Sequence, residues 1–152
     1  MQINKLKYQW RSFLLIAVYI TLSIVFSGCG TSRMIKDFTS DGCSLFPDGS
    51  WCECCFEHDI SYWYGGTPED RKEADRALRQ CVKEKTGSGI LAWMMYRGVR
   101  AGGHPVFPTW YRWGYGWDYG RMYQTLTEEE FKAAEEKLIQ YFLQHPETFC
   151  EK

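Results

Sequence analysis

The stretch CCFEHDISYW, residues 54–63, crowds two adjacent cysteines, a histidine beside an aspartate, and a tyrosine into ten positions. From Trp51 to Tyr64 there is neither glycine nor proline, and Cys55, His58, Asp59 and Tyr62 recur at i, i+3, i+4 and i+7. That spacing is one face of a helix, which Gly65 and Gly66 then end. Adjacent helical residues point about 100° apart, so Cys54 and Cys55 must reach different partners. Stapling at two points would hold the backbone under His58 and Asp59, as a site needing preorganised geometry requires.

Working outward, the first residues bear on the compartment. Lys5, Lys7 and Arg11 precede an apolar run from Phe13 to Phe26 that leads into FSGCG, a signal-peptide pattern with cysteine at the cleavage site. The run holds Tyr19, Thr21 and Ser23 and is shorter than the roughly 20 apolar residues of a bilayer span; a single-pass anchor is the competing reading. Ser27, Gly28 and Cys29 resemble a bacterial lipobox, with Phe26 where leucine is usual. The expected organisation is a signal peptide over 1–28, a lipidated polar linker over 29–40 beginning at Cys29, and one domain over 41–152. Its place would be the bacterial cell envelope, on the outer membrane of a Gram-negative source because Gly30 and not aspartate follows Cys29. With Cys29 lipidated, Cys43, Cys52, Cys54, Cys55, Cys81 and Cys150 remain. An even count in an exported domain reads as three disulfides, whose connectivity composition does not choose. A net charge of −1 without a run of Lys or Arg excludes a strong field for nucleic acid, and the domain is expected to act as a monomer at a phospholipid surface.

The rest of the chain reads as mainly α. DGCSLFPDGS, residues 41–50, is a loop broken by Gly42, Pro47 and Gly49, with Asp48 a turn residue. Thr67 caps a second helix with Pro68 at its first position, Glu69 and Asp70 in its first turn and Gly87 at its end. Ala74, Ala77, Leu78, Cys81 and Val82 form its apolar stripe. Asp75 lies beside that stripe and needs a partner, because burying a lone carboxylate is costly. Ile90 to Val99 is a short third helix, and HPVFPTWYRWGYGWDYGRMY, residues 104–123, an aromatic loop. Its rings suit core packing, with some of its Trp and Tyr able to seat at a membrane interface. A last helix opens on the capping box Thr127-Glu128-Glu129-Glu130, carries Phe131, Ala134, Leu138, Tyr141 and Phe142, and stops before Pro146. His104 and His145 read as surface residues.

CCFEHDISY resembles the Cys-Cys-x-x-His-Asp-x-x-Tyr active-site helix of the secreted phospholipase A2 enzymes, and ADRALRQC, residues 74–81, is similar to that family's second long helix. DGCS, residues 41–44, resembles the calcium loop of its compact microbial branch. The likeness covers Asp41 to Cys81. It implies two long antiparallel helices cross-linked by disulfides, plus a C-terminal helix, and an enzyme that hydrolyses the sn-2 ester of glycerophospholipids with Ca²⁺. His58 would be the general base, Asp75 would orient its imidazole, Tyr62 would join the network around Asp75, and Asp41, Gly42 and Asp59 would hold the ion. Cys43 would pair with Cys55 and Cys54 with Cys81, leaving Cys52 and Cys150 by arithmetic. Animal members carry a further disulfide between the positions of Ser61 and Ala74, and both cysteines are missing together here.

The residue types suit that chemistry independently of the likeness. Ester hydrolysis by water needs a base near ambient pH and a group to fix its tautomer, and Ca²⁺ prefers oxygen ligands such as Asp41 and Asp59. A zinc site on Cys52, Cys54, Cys55 and His58 is the weaker alternative, because C-x-C-C-x-x-H is not the usual paired ligand spacing. An alternative from another class is an inactive member of the same fold, serving as a binding or structural envelope lipoprotein.

Overall fold

The computed structural model describes residues 34–44, 46, 49–146 and 150; the expected signal peptide, the lipidation at Cys29 and the turn at Asp48 lie outside them. Four helices and no strand occur among the described residues. Helix α1 is Cys52–Tyr64 and helix α2 is Pro68–Thr86. At the start of α2 the Thr67 hydroxyl accepts from the Asp70 N–H at 3.1 Å while the Asp70 carboxylate accepts from the Thr67 N–H at 2.8 Å, satisfying two otherwise orphaned donors. Gly87, with φ 70°, closes it. Helix α3 is Gly89–Gly102, longer at both ends than Ile90–Val99, because the Ser88 hydroxyl caps the Leu91 N–H and the turn continues until Gly103 donates to the Val99 carbonyl. Helix α4, Glu128–Gln144, has the Thr127–Glu130 capping box and stops before Pro146. None of these helices is long and apolar enough to cross a membrane.

Three disulfides staple the domain: Cys43–Cys55, Cys54–Cys81 and Cys52–Cys150. The links between α1 and α2 run in opposite directions along the chain. Cys54 meets Cys81, His58 meets Asp75 and Tyr62 meets Arg71, so the two helices are antiparallel. Helix α1 lies between two hydrophobic clusters. One joins Cys54 and Cys55 to Leu78 and Val82 of α2 and Ala92 and Met95 of α3. The other joins Trp63 to Ile35, Phe38, Trp117 and Ala134 of α4. Ser32–Lys152 is one compact unit, and both clusters and all three disulfides fall inside it.

Two expectations about packing are corrected. Residues 34–40 are not a polar lead-in: Ile35 and Phe38 are buried, and the Lys36 N–H donates to the Gly116 carbonyl at 2.7 Å. Both side chains belong to the Trp63 cluster, which seats the segment on it. Ala77 is exposed and Arg71 takes its place in the buried face of α2 with Asp75, Leu78 and Val82. Those four recur at i, i+4, i+7 and i+11, the drift of a 3.6-residue turn, which Ala77 does not share.

The aromatic loop finishes the C-terminal end of α1, where the last carbonyls lack helical partners. Gly114 N–H donates to the Tyr62 carbonyl at 2.6 Å, the Trp117 indole to that of Tyr64 at 2.7 Å, and the Trp113 indole to that of Gly66 at 3.0 Å. Gly65, at φ 72°, lets the chain turn here, and a Cβ on it would sit 2.9 Å from the Gly114 Cα. Two tryptophans thus serve both as core rings and as caps, which fixes the end of the helix that carries His58.

Candidate active site

His58 and Asp59 project from the middle of α1, between the staples at Cys54 and Cys55 and the capped end. His58 Nε2 lies 2.9 Å from Asp75 Oδ1 across the α1–α2 interface. Asp75 is completely buried, and its remaining acceptor capacity is used: Tyr62 donates to Oδ1 at 2.7 Å and Arg100, from α3, to Oδ2 at 2.7 Å. Burial alone would raise this carboxyl, but the bonds from His58, then Arg100 and Tyr62, hold it below its ordinary value. An ionised carboxylate only accepts. In the neutral form of the His58 ring, Nε2 therefore carries the proton and Nδ1 the lone pair.

Arg71, also buried, braces this network from behind. Its Nε donates to the Tyr62 hydroxyl at 3.1 Å, and its guanidinium reaches the carbonyls of Val99 and Arg100, both at 2.9 Å, and the Tyr123 hydroxyl at 3.0 Å. The bonds to the α3 backbone fix where Arg100 leaves its helix. Burial, followed by the charge of Asp75, raises the Tyr62 hydroxyl well above its usual range against the opposing charge of Arg71, so Tyr62 stays a neutral donor.

On the adjacent side Asp59 faces a different set. The Ser40 hydroxyl donates to Asp59 Oδ2 at 2.6 Å, and Asp59 shares a cavity of about 110 Å³ with Ser40, Asp41, Trp110 and Tyr115. The Cys43–Cys55 bridge explains the proximity, since it fastens the chain two residues after Asp41 to the helical turn before Asp59. Asp41 accepts from Ser44 at 2.8 Å and from the Trp110 indole at 3.2 Å. Burial first, and then the Asp41 charge against the bond from Ser40, pushes Asp59 up from 3.8 to about 7. Two carboxylates facing one small cavity, one of them nearly buried, form a donor set that suits a hard cation. Among the described residues no three His, Cys, Asp or Glu side chains gather as a metal cluster, so a cation here would need further oxygen donors beside these two carboxylates; Gly42, between Asp41 and Cys43, turns the loop (φ 75°).

A second cavity, of about 90 Å³, is lined by His58, Asp59 and Gly42 on one side and by Leu78, Met95 and Val99 on the other. Its far wall is largely hydrocarbon from α2 and α3, with Gly98, Gly102 and Gly103 leaving room. The imidazole thus stands between polar and apolar lining.

Of the residues expected from sequence, His58, Asp75 and Tyr62 come together, as do Asp41 and Asp59. Arg71, Arg100, Ser40 and Trp110 were missed. Arg71 had a signal, four residues before Asp75 on the same helical face; the other three come from separate segments. Cys52, Cys54, Cys55 and Cys81 are all in disulfides, which removes the thiolates that the zinc alternative needed. Comparison with family models, with curated proteins and with solved structures gives no match for this chain.

The raised Asp59 predicts a pH dependence. Its folded pKa of about 7 lies above the 3.8 of an ordinary carboxyl, so between those values the folded state holds a proton that the unfolded state has released. Stability is therefore expected to fall as pH rises from 3.8 to about 7. Urea unfolding midpoints in EGTA across that range should show the decline in the native chain and a flatter profile in Asp59→Asn; identical profiles would rule out Asp59 as its source.

Proposed function

We propose that the protein is a calcium-dependent, phospholipase A2-like hydrolase that cleaves the sn-2 ester of glycerophospholipids. The observation that carries the reading is the His58–Asp75 pair, buried and polarised, on a doubly stapled helix beside an apolar cavity. The antiparallel α1–α2 pair and the positions of the Cys43–Cys55 and Cys54–Cys81 bridges agree with the architecture that the resemblance implies.

In this reading the acyl chain lies against Leu78, Met95 and Val99, which exclude bulk water, and the ester carbonyl sits near His58. Nδ1 of His58 takes a proton from a water as its oxygen attacks the carbonyl, and returns it to the departing lysophospholipid oxygen. Asp75 keeps Nε2 protonated and stabilises the charged ring, while Tyr62 and Arg100 hold Asp75 in place. Asp41, Asp59 and the Gly42 carbonyl would hold Ca²⁺, which supplies positive charge for the ester oxygen and the phosphate. Lipidation at Cys29 would anchor the domain in the bacterial envelope, where the substrate is.

The test is release of fatty acid from mixed-chain phosphatidylglycerol and phosphatidylcholine vesicles by oxidised Ser32–Lys152, with calcium or EGTA. Release of the sn-2 chain with calcium, absent in EGTA, is the expected result. A folded, oxidised protein that releases nothing and takes up no calcium by calorimetry would instead favour the inactive envelope scaffold.

A further inference from the structure

A third cavity, of about 460 Å³, has neither His58 nor Asp59 in its lining. Lys36, Asp37 and Thr39 line it from the 36–39 segment, and Trp110, Tyr115 and Tyr119 from the aromatic loop. At about 30 Å³ per water it has the volume of roughly 15 waters, within the roughly 300–1,000 Å³ of small-molecule sites. Both walls are fixed. The Lys36 N–H donates to the Gly116 carbonyl at 2.7 Å, and the Lys36 carbonyl accepts from the Trp63 indole at 3.1 Å. On the loop, Arg112, 5% exposed, gathers the carbonyls of Trp113, Gly114 and Trp117. A cleft between two fixed walls needs little ordering to receive a ligand.

The three rings are held by their polar tips, which bond elsewhere. The Trp110 indole donates to Asp41 at 3.2 Å, the Tyr115 hydroxyl to the Thr39 carbonyl at 2.7 Å, and the Tyr119 hydroxyl to the Val106 carbonyl at 2.7 Å. What these rings offer the cavity is apolar surface, and Trp110 and Tyr119 stay 70% and 59% exposed. The charges around the cavity are balanced. Lys36 lies 3.7 Å from Asp118, Lys137 donates to Asp37, and Asp41, at the Trp110 indole, is opposite in sign to the buried Arg112. An ion of either sign entering here would meet a like charge as well as an opposite one, and would give up its hydration. Aromatic surface beside balanced donors and acceptors suits instead a neutral ring with hydroxyls on its edge. Its C–H bonds pack on the electron-rich faces of the rings, and each hydroxyl both donates and accepts. Lys36 is a donor, Asp37 an acceptor and Thr39 both, while the Arg112 Nε makes no hydrogen bond among the described residues.

We propose that this cleft binds a neutral pyranose saccharide, whose ring faces stack on Trp110 and Tyr119 while its hydroxyls bond Lys36, Asp37, Thr39 and Arg112. His58 takes no part, so the site does not depend on the hydrolase reading. The probes are β-1,4-linked trimers of N-acetylglucosamine, of glucosamine and of glucuronic acid, which share equatorial substituents and differ in charge. Each is titrated calorimetrically, and followed by saturation-transfer NMR, against the full oxidised chain in a detergent without a sugar headgroup. The neutral trimer is expected to bind at least about 5-fold more tightly than either charged one, the worth of one mismatched charge near a protein surface. Trp110→Ala and Tyr119→Ala should each weaken it roughly 10-fold. Trp110→Phe, which keeps a ring and loses the bond to Asp41, should stay within about 3-fold of the native chain. Trp93→Ala, an exposed tryptophan on α3 outside this lining, should change nothing. Urea midpoints report the folding of each variant separately. No transfer to the neutral trimer at millimolar concentration would overturn the proposal, as would tighter binding of a charged trimer. Equal losses in Trp110→Ala and Trp110→Phe would also overturn it, since the effect would then belong to the Asp41 bond and not to stacking.

Discussion

Replacing Asp75 with alanine is expected to lower stability by about 3–5 kcal/mol, the range for removing one member of a buried charge network. Asp75, carried by α2, is fully buried and collects donors from the two other helices of the site: His58 and Tyr62 on α1, and Arg100 on α3. Its loss leaves Arg71, itself buried, without a counter-charge 4.0 Å away, and leaves the Tyr62 hydroxyl without its acceptor at 2.7 Å. Arg100 is partly exposed and can turn to water, which keeps the loss below the sum of its parts. Asp75→Asn, which can still accept from Arg100 or Tyr62, should lose about half as much. The pH dependence has a definite sign. The folded carboxyl lies below the ordinary 3.8, so its contribution is complete above 3.8 and fades as pH falls toward the folded value. Urea midpoints at neutral pH and near pH 3 check both statements; a deficit that grew at low pH would contradict this account of Asp75.

The second large effect concerns turnover. With the calcium-dependent assay in hand, His58→Ala is expected to reduce the rate by about 10²–10⁴-fold, the usual worth of a positioned general base. Its fold should survive, because Asp75 retains Tyr62 and Arg100. Asp59→Asn is expected to abolish the calcium dependence while keeping the bond to Ser40 within reach of the amide oxygen. Together the two variants separate the jobs of neighbouring residues: loss of rate with calcium binding intact for His58→Ala, and loss of calcium binding by calorimetry for Asp59→Asn. Calcium uptake unchanged in Asp59→Asn would remove Asp59 from the proposed site.

Local rules carried much of the reading. The boundaries of α1 and α2 followed from features within a few residues of each end: the glycines after Tyr64, the Thr67 cap, Pro68 and Gly87. The common face of Cys55, His58, Asp59 and Tyr62 followed from helical period alone. Where the reading erred, a nonlocal contact had prevailed. Ile35 and Phe38 sit in a short segment with no period to announce burial, and only the Trp63 cluster shows why they are inside. Ala77 fitted the stripe by composition, yet the neighbouring helix selects Arg71 by position.

What the sequence by itself determined is the helical content, the facing of His58 and Asp59, the six cysteines from Cys43 onward and, through the resemblance, the expectation that His58 pairs with Asp75. These depend on spacing along one chain segment, which is visible residue by residue. Only the tertiary structure decided that Arg71 and Arg100 brace Asp75, that Ser40 and Trp110 attend Asp59 and Asp41, and that two tryptophan indoles cap α1. The bonds of Arg100, Ser40 and Trp110 and the two indole caps join segments 19 to 69 residues apart, and their partners are selected by which backbones the disulfides and the two hydrophobic clusters bring together. Arg71 lies nearer to Asp75 in sequence, but its braces to Val99, Arg100 and Tyr123 depend on the same packing. Spacing within a segment does not encode that choice.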